Sequence, residues 1–209
     1  MPHPYDASTK YLVQNHPADW LSLCGHTTSA KVEVVDADLA TVTAAADRVL
    51  RVHEEPSWLA HIELQSSRDP DILFSAHVYN AILKRQHHEL VRTTIVLLRR
   101  SADAPELTGV FERGFASEPP YLTFRYHVVR VWQLPVDALL KGGLGILPLA
   151  PLADVREADL PGVIGRMDER IRNEATRPDG GTLWTATQIL MGLRYSSTLT
   201  AQCCEEFTA

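Results

Sequence analysis

The sequence predicts an α/β protein, a sheet backed by helices and followed by a helical C-terminal part, and three observations carry that reading. Val49–Val52 and Trp58–Gln65 are apolar, strand-like segments separated by the turn-rich pentapeptide His53-Glu54-Glu55-Pro56-Ser57, the pattern of a β-hairpin. Ile72–His88 has helical periodicity. The apolar run after it, Val91–Leu98, is β-branched at Val91, Thr93, Thr94, Ile95 and Val96, as in a strand buried on both faces. From Pro135 onward the apolar spacing is helical again.

Asp6–Cys24 reads as a helix with Asp6 or Ser8 as N-cap, Gly25 as the stop and Pro17 dividing it. Lys31–Val35 alternates as a strand and is followed by the polar Asp36-Ala37-Asp38. Folding the hairpin about Glu55 sets Val52 opposite Trp58, Leu50 opposite Ala60 and Asp47 opposite Glu63. Side-chain carbons of such a pair stand roughly 5 Å apart. Gln65, two residues beyond Glu63, points to the same face. Ser66–Asp71 is a loop and helix start, and the helix after it sets Leu73, His77, Asn80 and Ala81 along one side. A helix followed by a buried strand implies a crossover and parallel pairing with an earlier strand. The resulting order is α-β-β-β-α-β.

Leu107–Arg113 and Tyr121–Trp132 read as further strands, an antiparallel extension of the sheet, with Leu122, Phe124, Tyr126 and Val128 on one face. Helices are expected at Val136–Lys141, Glu157–Ala175 and from Thr182 to about Glu205. Gly142-Gly143-Leu144-Gly145, Pro148 and Pro151 mark a loop between the first two.

At 209 residues, 45% hydrophobic and 22% charged, the composition is that of one ordinary soluble domain. Its longest apolar runs are too short to cross a bilayer, so no membrane partner is expected. The polar N-terminus has no apolar signal region. Cys24 is isolated and Cys203-Cys204 are adjacent, which fits neither a disulfide framework nor a zinc spacing, so a cytoplasmic location is expected. The formal net charge of −6 argues against a protein that coats DNA non-specifically. It leaves a nuclease open, because a metal site concentrates acidic residues while a local group such as Lys10, Arg48, Arg51, Arg68, Lys84 and Arg85 holds phosphate.

Asp47, Glu63 and Gln65 carry the chemistry. The register converges two carboxylates and an amide at one end of the hairpin, and like charges that close repel. A divalent, oxygen-preferring cation such as Mg²⁺ relieves the repulsion. The competing reading is a solvated carboxylate pair neutralised by Arg48 or Arg51, but acidic residues are depleted in strands and Glu63 sits inside an apolar one. Asp6 and Lys10, one helical turn apart, fit a capping Asp and a helix-surface Lys. His61-Ile62-Glu63 matches the H-x-E of zinc deaminases, but the C-x-x-C half is missing. No G-x-S-x-G, phosphate loop or dinucleotide fingerprint occurs.

The N-terminal Asp6-x-x-x-Lys10, Ala46-Asp47-Arg48-Val49-Leu50-Arg51-Val52, His61-Ile62-Glu63-Leu64-Gln65-Ser66-Ser67 and Tyr121-Leu122-Thr123-Phe124-Arg125-Tyr126 together resemble the PD-(D/E)xK nuclease superfamily. The resemblance is strongest to the bacterial recombination-promoting nuclease (Rpn, YhgA-like, transposase-like) group. It runs over nearly the whole chain. It implies a restriction-endonuclease-like core with extra antiparallel strands over residues 1–134, and a helical part over residues 135–209 packed on the same domain.

It further implies a Mg²⁺-dependent DNA endonuclease, with Mn²⁺ as an alternative metal and a link to recombination or mobile elements. Asp47, Glu63 and the carbonyl of Leu64 would be metal ligands, and Gln65 would stand where better-known members carry Lys. Asp6 would be an accessory ligand and Lys10 a phosphate contact. Two departures stand out. Leu73-Phe74-Ser75-Ala76-His77-Val78 is poorer in arginine than the group's helix. The C-terminal end breaks off where many relatives continue, as in a shortened copy. The alternative class is an inactive relative that binds DNA or a protein through the same fold.

Overall fold

The computed structural model describes residues 4–35 and 48–204, and they form two compact units. One is His26–Val129. The other joins the chain through Gly25 to everything from Arg130 onward. The sequence reading grouped residues 1–134 together. The structure instead clusters the N-terminal helices with the C-terminal ones.

The first unit is built on a mixed five-stranded sheet in the order β1-β2-β3-β4-β7, where β1 is Val32–Val35, β2 Arg48–Val52, β3 Trp58–Gln65, β4 Leu90–Leu97 and β7 His127–Arg130. The β1, β2 and β3 strands pair antiparallel, with Val52 opposite Trp58 and Leu50 opposite Ala60, as the hairpin count requires. The hairpin loop is closed by its own side chains. The Glu54 carboxylate accepts a hydrogen bond from Trp58 Nε1 at 2.9 Å and lies 3.1 Å from His26 Nε2.

Strand β4 runs parallel to β3, and the connection is the helix α3, Ile72–His87. That pairing was expected from the helix-then-strand order. The α3 helix stops where His88 takes a left-handed φ of 60° and donates its N–H to Lys84 O. Strand β4 is buried only from Thr93 on; its first residues reach solvent, and Leu90 is 62% exposed.

The expected antiparallel extension is not one continuous sheet. Strands β5, Val110–Arg113, and β6, Leu122–Arg125, pair with each other alone, while β7 joins the main sheet beside β4. The predicted long strand breaks at Tyr126, whose N–H bonds Gly109 O at 3.1 Å. Gly109 has a φ of 92°, open to glycine and strained for other residues. Burial shifts phase at the break: Phe124 and Tyr126 are buried, but the next buried residue is Val129, not Val128.

The second unit is helical. Helix α1, Pro4–Asn15, starts before Asp6 and Ser8, so neither is its N-cap. Helix α2, Pro17–Leu23, follows the break expected at Pro17, and Gly25 ends it with a φ of 83°. Helix α4, Val136–Lys141, falls where predicted. Helix α5, Leu160–Glu174, buries the stripe Leu160, Val163, Ile164, Met167 and Ile171. The long last helix is instead two, α6, Arg177–Met191, and α7, Ser197–Cys204.

The largest correction concerns the expected glycine- and proline-marked loop. Leu144–Leu152 is a 3-10 helix, and every residue in it from Gly145 onward is buried. Gly145, Pro148 and Pro151 recur every third residue, the 3-10 period, and the prolines remove two N–H donors that burial would leave without partners. Buried carbonyls still need donors. Trp20 Nε1 donates to Gly145 O at 3.0 Å and the Tyr195 hydroxyl to Pro151 O at 2.7 Å. Arg194 donates to Ala153 O and Val155 O at 2.6 Å each. Arg194 and Tyr195 lie between α6 and α7, so that helix break supplies donors to the 3-10 segment.

A Cβ on Gly145 would run into the His16 side chain near its root, which cannot swing away. Gly145→Ala should therefore lower the urea midpoint, by about 1–3 kcal/mol of unfolding free energy, the usual cost of overpacking. Gly162→Ala, where added atoms meet nothing, should show no such loss.

Candidate functional site

Strand β3 lies between β2 and β4, so its two faces are set by strand alternation. His61, Glu63 and Gln65 share the face of Leu59, which packs with Val49, Val91 and Leu83 of α3. This face is therefore the one covered by α3. Along it, His61 stands between Val49 and Thr93, Glu63 beside Ile95 and Gln65 beside Leu97.

Above the apolar layer the face turns polar. His61 is fully buried, with Nδ1 3.2 Å from Thr93 Oγ1 and its ring edge-on to Tyr79 at 6.0 Å between centroids. Asn80 of α3 donates through Nδ2 to Thr93 Oγ1 at 3.0 Å and to Val91 O at 3.2 Å. Glu63 is 3% exposed, and its Oε1 lies 3.4 Å from His61 Nε2. That is ion-pair distance without hydrogen-bond alignment, so the contact is electrostatic. Gln65, at the strand's end, is half-buried, and its backbone carbonyl accepts the Leu98 N–H at 2.8 Å. Leu64 is buried on the opposite face.

Asp47 lies outside the described residues. The register on which its expected place depends is described as far as Arg48 opposite Ile62. Asp6 and Lys10 belong to α1 in the helical unit, where Lys10 is exposed. Among the described residues no group of three His, Cys, Asp or Glu side chains is arranged to hold a metal. The described candidates at the end of β3 are the Glu63 carboxylate, the Leu64 carbonyl and the Gln65 amide. All offer oxygen, the donor that a hard cation such as Mg²⁺ takes.

The candidate basic residues divide by partner. Arg51 is held by Glu89 at 3.0 Å and Glu33 at 3.4 Å, and Arg68 meets Glu106 at 3.4 Å. Arg48 is buried, and Lys84 and Arg85 are exposed near the end of α3. The reading from sequence missed Asn80, Thr93 and His61 as a group. The available signal was polar residues at positions that the periodicity assigns to packed faces.

No family model matches the chain, and no curated protein or solved structure matches it.

The hairpin that carries Glu63 makes a pH prediction. Hydrogen bonds from Thr28, Trp58 and His26 lower the Glu54 carboxyl from 4.5 to about 2. A carboxyl lowered on folding contributes stability above its unfolded pKa, and that contribution disappears as pH falls through the folded value. Between pH 4.5 and about 2, wild-type stability should fall more steeply than that of Glu54→Gln. Urea midpoints across that range would show it, and parallel curves would refute the assignment.

Proposed function

We propose that this chain is a divalent-metal-dependent DNA endonuclease of the PD-(D/E)xK type, linked to recombination or mobile elements as its resemblance to the recombination-promoting group implies. The observation that most supports the reading is Glu63, a carboxylate 3% exposed in an interior strand. Withdrawing a charge of that kind from water costs several kcal/mol and persists where a partner or a cation compensates it. Gln65 follows on the same face in the E-x-Q order of the superfamily pattern.

In this mechanism Asp47, Glu63 and the Leu64 carbonyl would hold the cation. A cation bound there would supply a lowered pKa for a water and a positive charge beside the phosphate. Gln65 is neutral, so it orients the attacking water by hydrogen bonding and adds no charge. Asp6 and Lys10 carry no part of the proposal.

Purified protein should nick supercoiled plasmid with Mg²⁺ or Mn²⁺ and not with EDTA. A metal ligand supplies several kcal/mol of transition-state stabilisation, so Asp47→Ala and Glu63→Gln should each slow nicking by at least ~100-fold without lowering the melting temperature. Gln65→Ala should lose less, and Gln65→Lys should keep or raise activity. Equal rates for wild type and Glu63→Gln would assign the activity elsewhere. DNA binding without cleavage under any divalent metal would establish the inactive binding module instead.

A further inference from the structure

We propose that the cleft between the start of α3 and β5 docks a short segment of a partner protein, an apolar anchor side chain flanked by lysine or arginine. The docking does not depend on the nuclease reading.

The cleft holds about 310 Å³, and residues from Arg68 to Phe74 form one wall while residues from Ala104 to Arg113 form the other. All of them belong to the sheet unit. That volume lies at the lower end of the range for ligand pockets, so it admits one or two side chains and not a folded surface. Its apolar lining includes Leu73 and Phe74 of α3 and Val110 and Phe111 of β5. Phe74 lies off the buried stripe Ile72, Ala76, Tyr79 and Leu83 and is 62% exposed. A large ring left in water beside a concave wall offers apolar area that a docked side chain would cover.

Charge decides the occupant. Among the described residues, the carboxylates Asp69, Asp71, Glu106 and Glu112 line the cleft against only Arg68 and Arg113. Both arginines are turned inward: Arg113 lies 4.0 Å from the Phe111 ring centre, and Arg68 meets Glu106 at 3.4 Å. A nucleic acid would bring phosphates to a net-negative lining, and its affinity comes from cations. A basic peptide brings the complementary sign, which orients docking, while its anchor supplies the affinity. Addition of a strand to β5 is not the mode. The Gly109–Tyr126 bond sets the ladder so that the Val110 and Glu112 carbonyls point away from β6. Thr108 Oγ1 and Arg113 Nη1 already donate to them, each at 3.0 Å. Recognition is therefore by side chains.

Fluorescence anisotropy of the full-length protein with labelled peptides of equal length tests this. One probe alternates arginine and leucine, the second arginine and serine, the third glutamate and leucine. The arginine–leucine probe should bind saturably and the other two at least ~10-fold more weakly, the scale of one lost anchor. Phe74→Ser should weaken that probe by ~10-fold and keep the melting temperature. The double variant Glu106→Gln/Glu112→Gln should lose at least ~5-fold. Glu157→Gln/Glu169→Gln, the same charge change on exposed residues of the helical unit, should lose less than ~2-fold at physiological salt. No saturable binding of the arginine–leucine probe overturns the proposal. So do equal binding of the arginine–serine peptide and equal losses in the two double variants, which reduce it to general charge attraction. A wild-type dimer in sedimentation that Phe74→Ser dissociates assigns the cleft to a second copy instead. Single-stranded DNA that binds without metal and loses affinity in Phe74→Ser assigns it to nucleic acid.

Discussion

A carboxylate inside a strand covered on both faces is the constraint around which the sheet unit is arranged. Glu63 lies next to Ile95 in the parallel pair and under α3, so water cannot solvate it as it would at an edge. The neighbouring positions are accordingly not all apolar. His61 precedes it on the same face, Thr93 lies beside His61, and Asn80 comes down from α3 to hold Thr93. Replacing these by apolar residues would suit the packing of Leu59, Val49 and Leu83 equally well, but would take polar side chains away from the carboxylate's side of the sheet. An unmet charge in the interior is more damaging than a missing methyl group.

The helical unit meets the same requirement with backbone groups in place of a side-chain charge. A 3-10 segment as apolar as Leu144–Leu152 belongs inside, yet its carbonyls cannot all be satisfied along the segment. Trp20, Arg194 and Tyr195 reach its carbonyls or those just beyond it. Arg170 donates to Leu140 O and Gly142 O at 2.8 and 2.6 Å on the way in. Two arginines spent on carbonyls explain why this unit can bury irregular backbone without a sheet.

What was legible in the sequence follows from which interactions are local. The β2–β3 register could be counted because five turn residues separate two alternating segments, and the parallel β3–β4 pair because a helix joins them. The 3-10 helix was not legible: glycine and proline ordinarily mark loops, and only the three-residue spacing with apolar filling distinguishes a buried turn structure. The split of the last helix was hidden for a related reason, since Arg194 and Tyr195 leave the helix to serve carbonyls some forty residues upstream, 41 for Ala153. Within the site, the Glu63-Leu64-Gln65 order is local and was visible. The Asn80–Thr93 and Thr93–His61 contacts join residues 13 and 32 apart across three elements, and no periodicity encodes them.

Charge placement bears on how such a site would meet a polyanion. The chain is net negative at −6, and several of its cations are already engaged: Arg51 by Glu89, Arg166 by Asp137, Arg170 by Glu174 and Arg172 by Asp168. Glu89, although partly desolvated, is held below the ordinary carboxylate range by Ser57 and Arg51, so that pair stays charged on both sides. A net-negative chain gains less from counterion release, which requires lysines and arginines clustered to replace salt on phosphate. On the nuclease reading, affinity for DNA would therefore depend on the bound cation more than on a basic surface. Binding and chemistry would then share one acidic site.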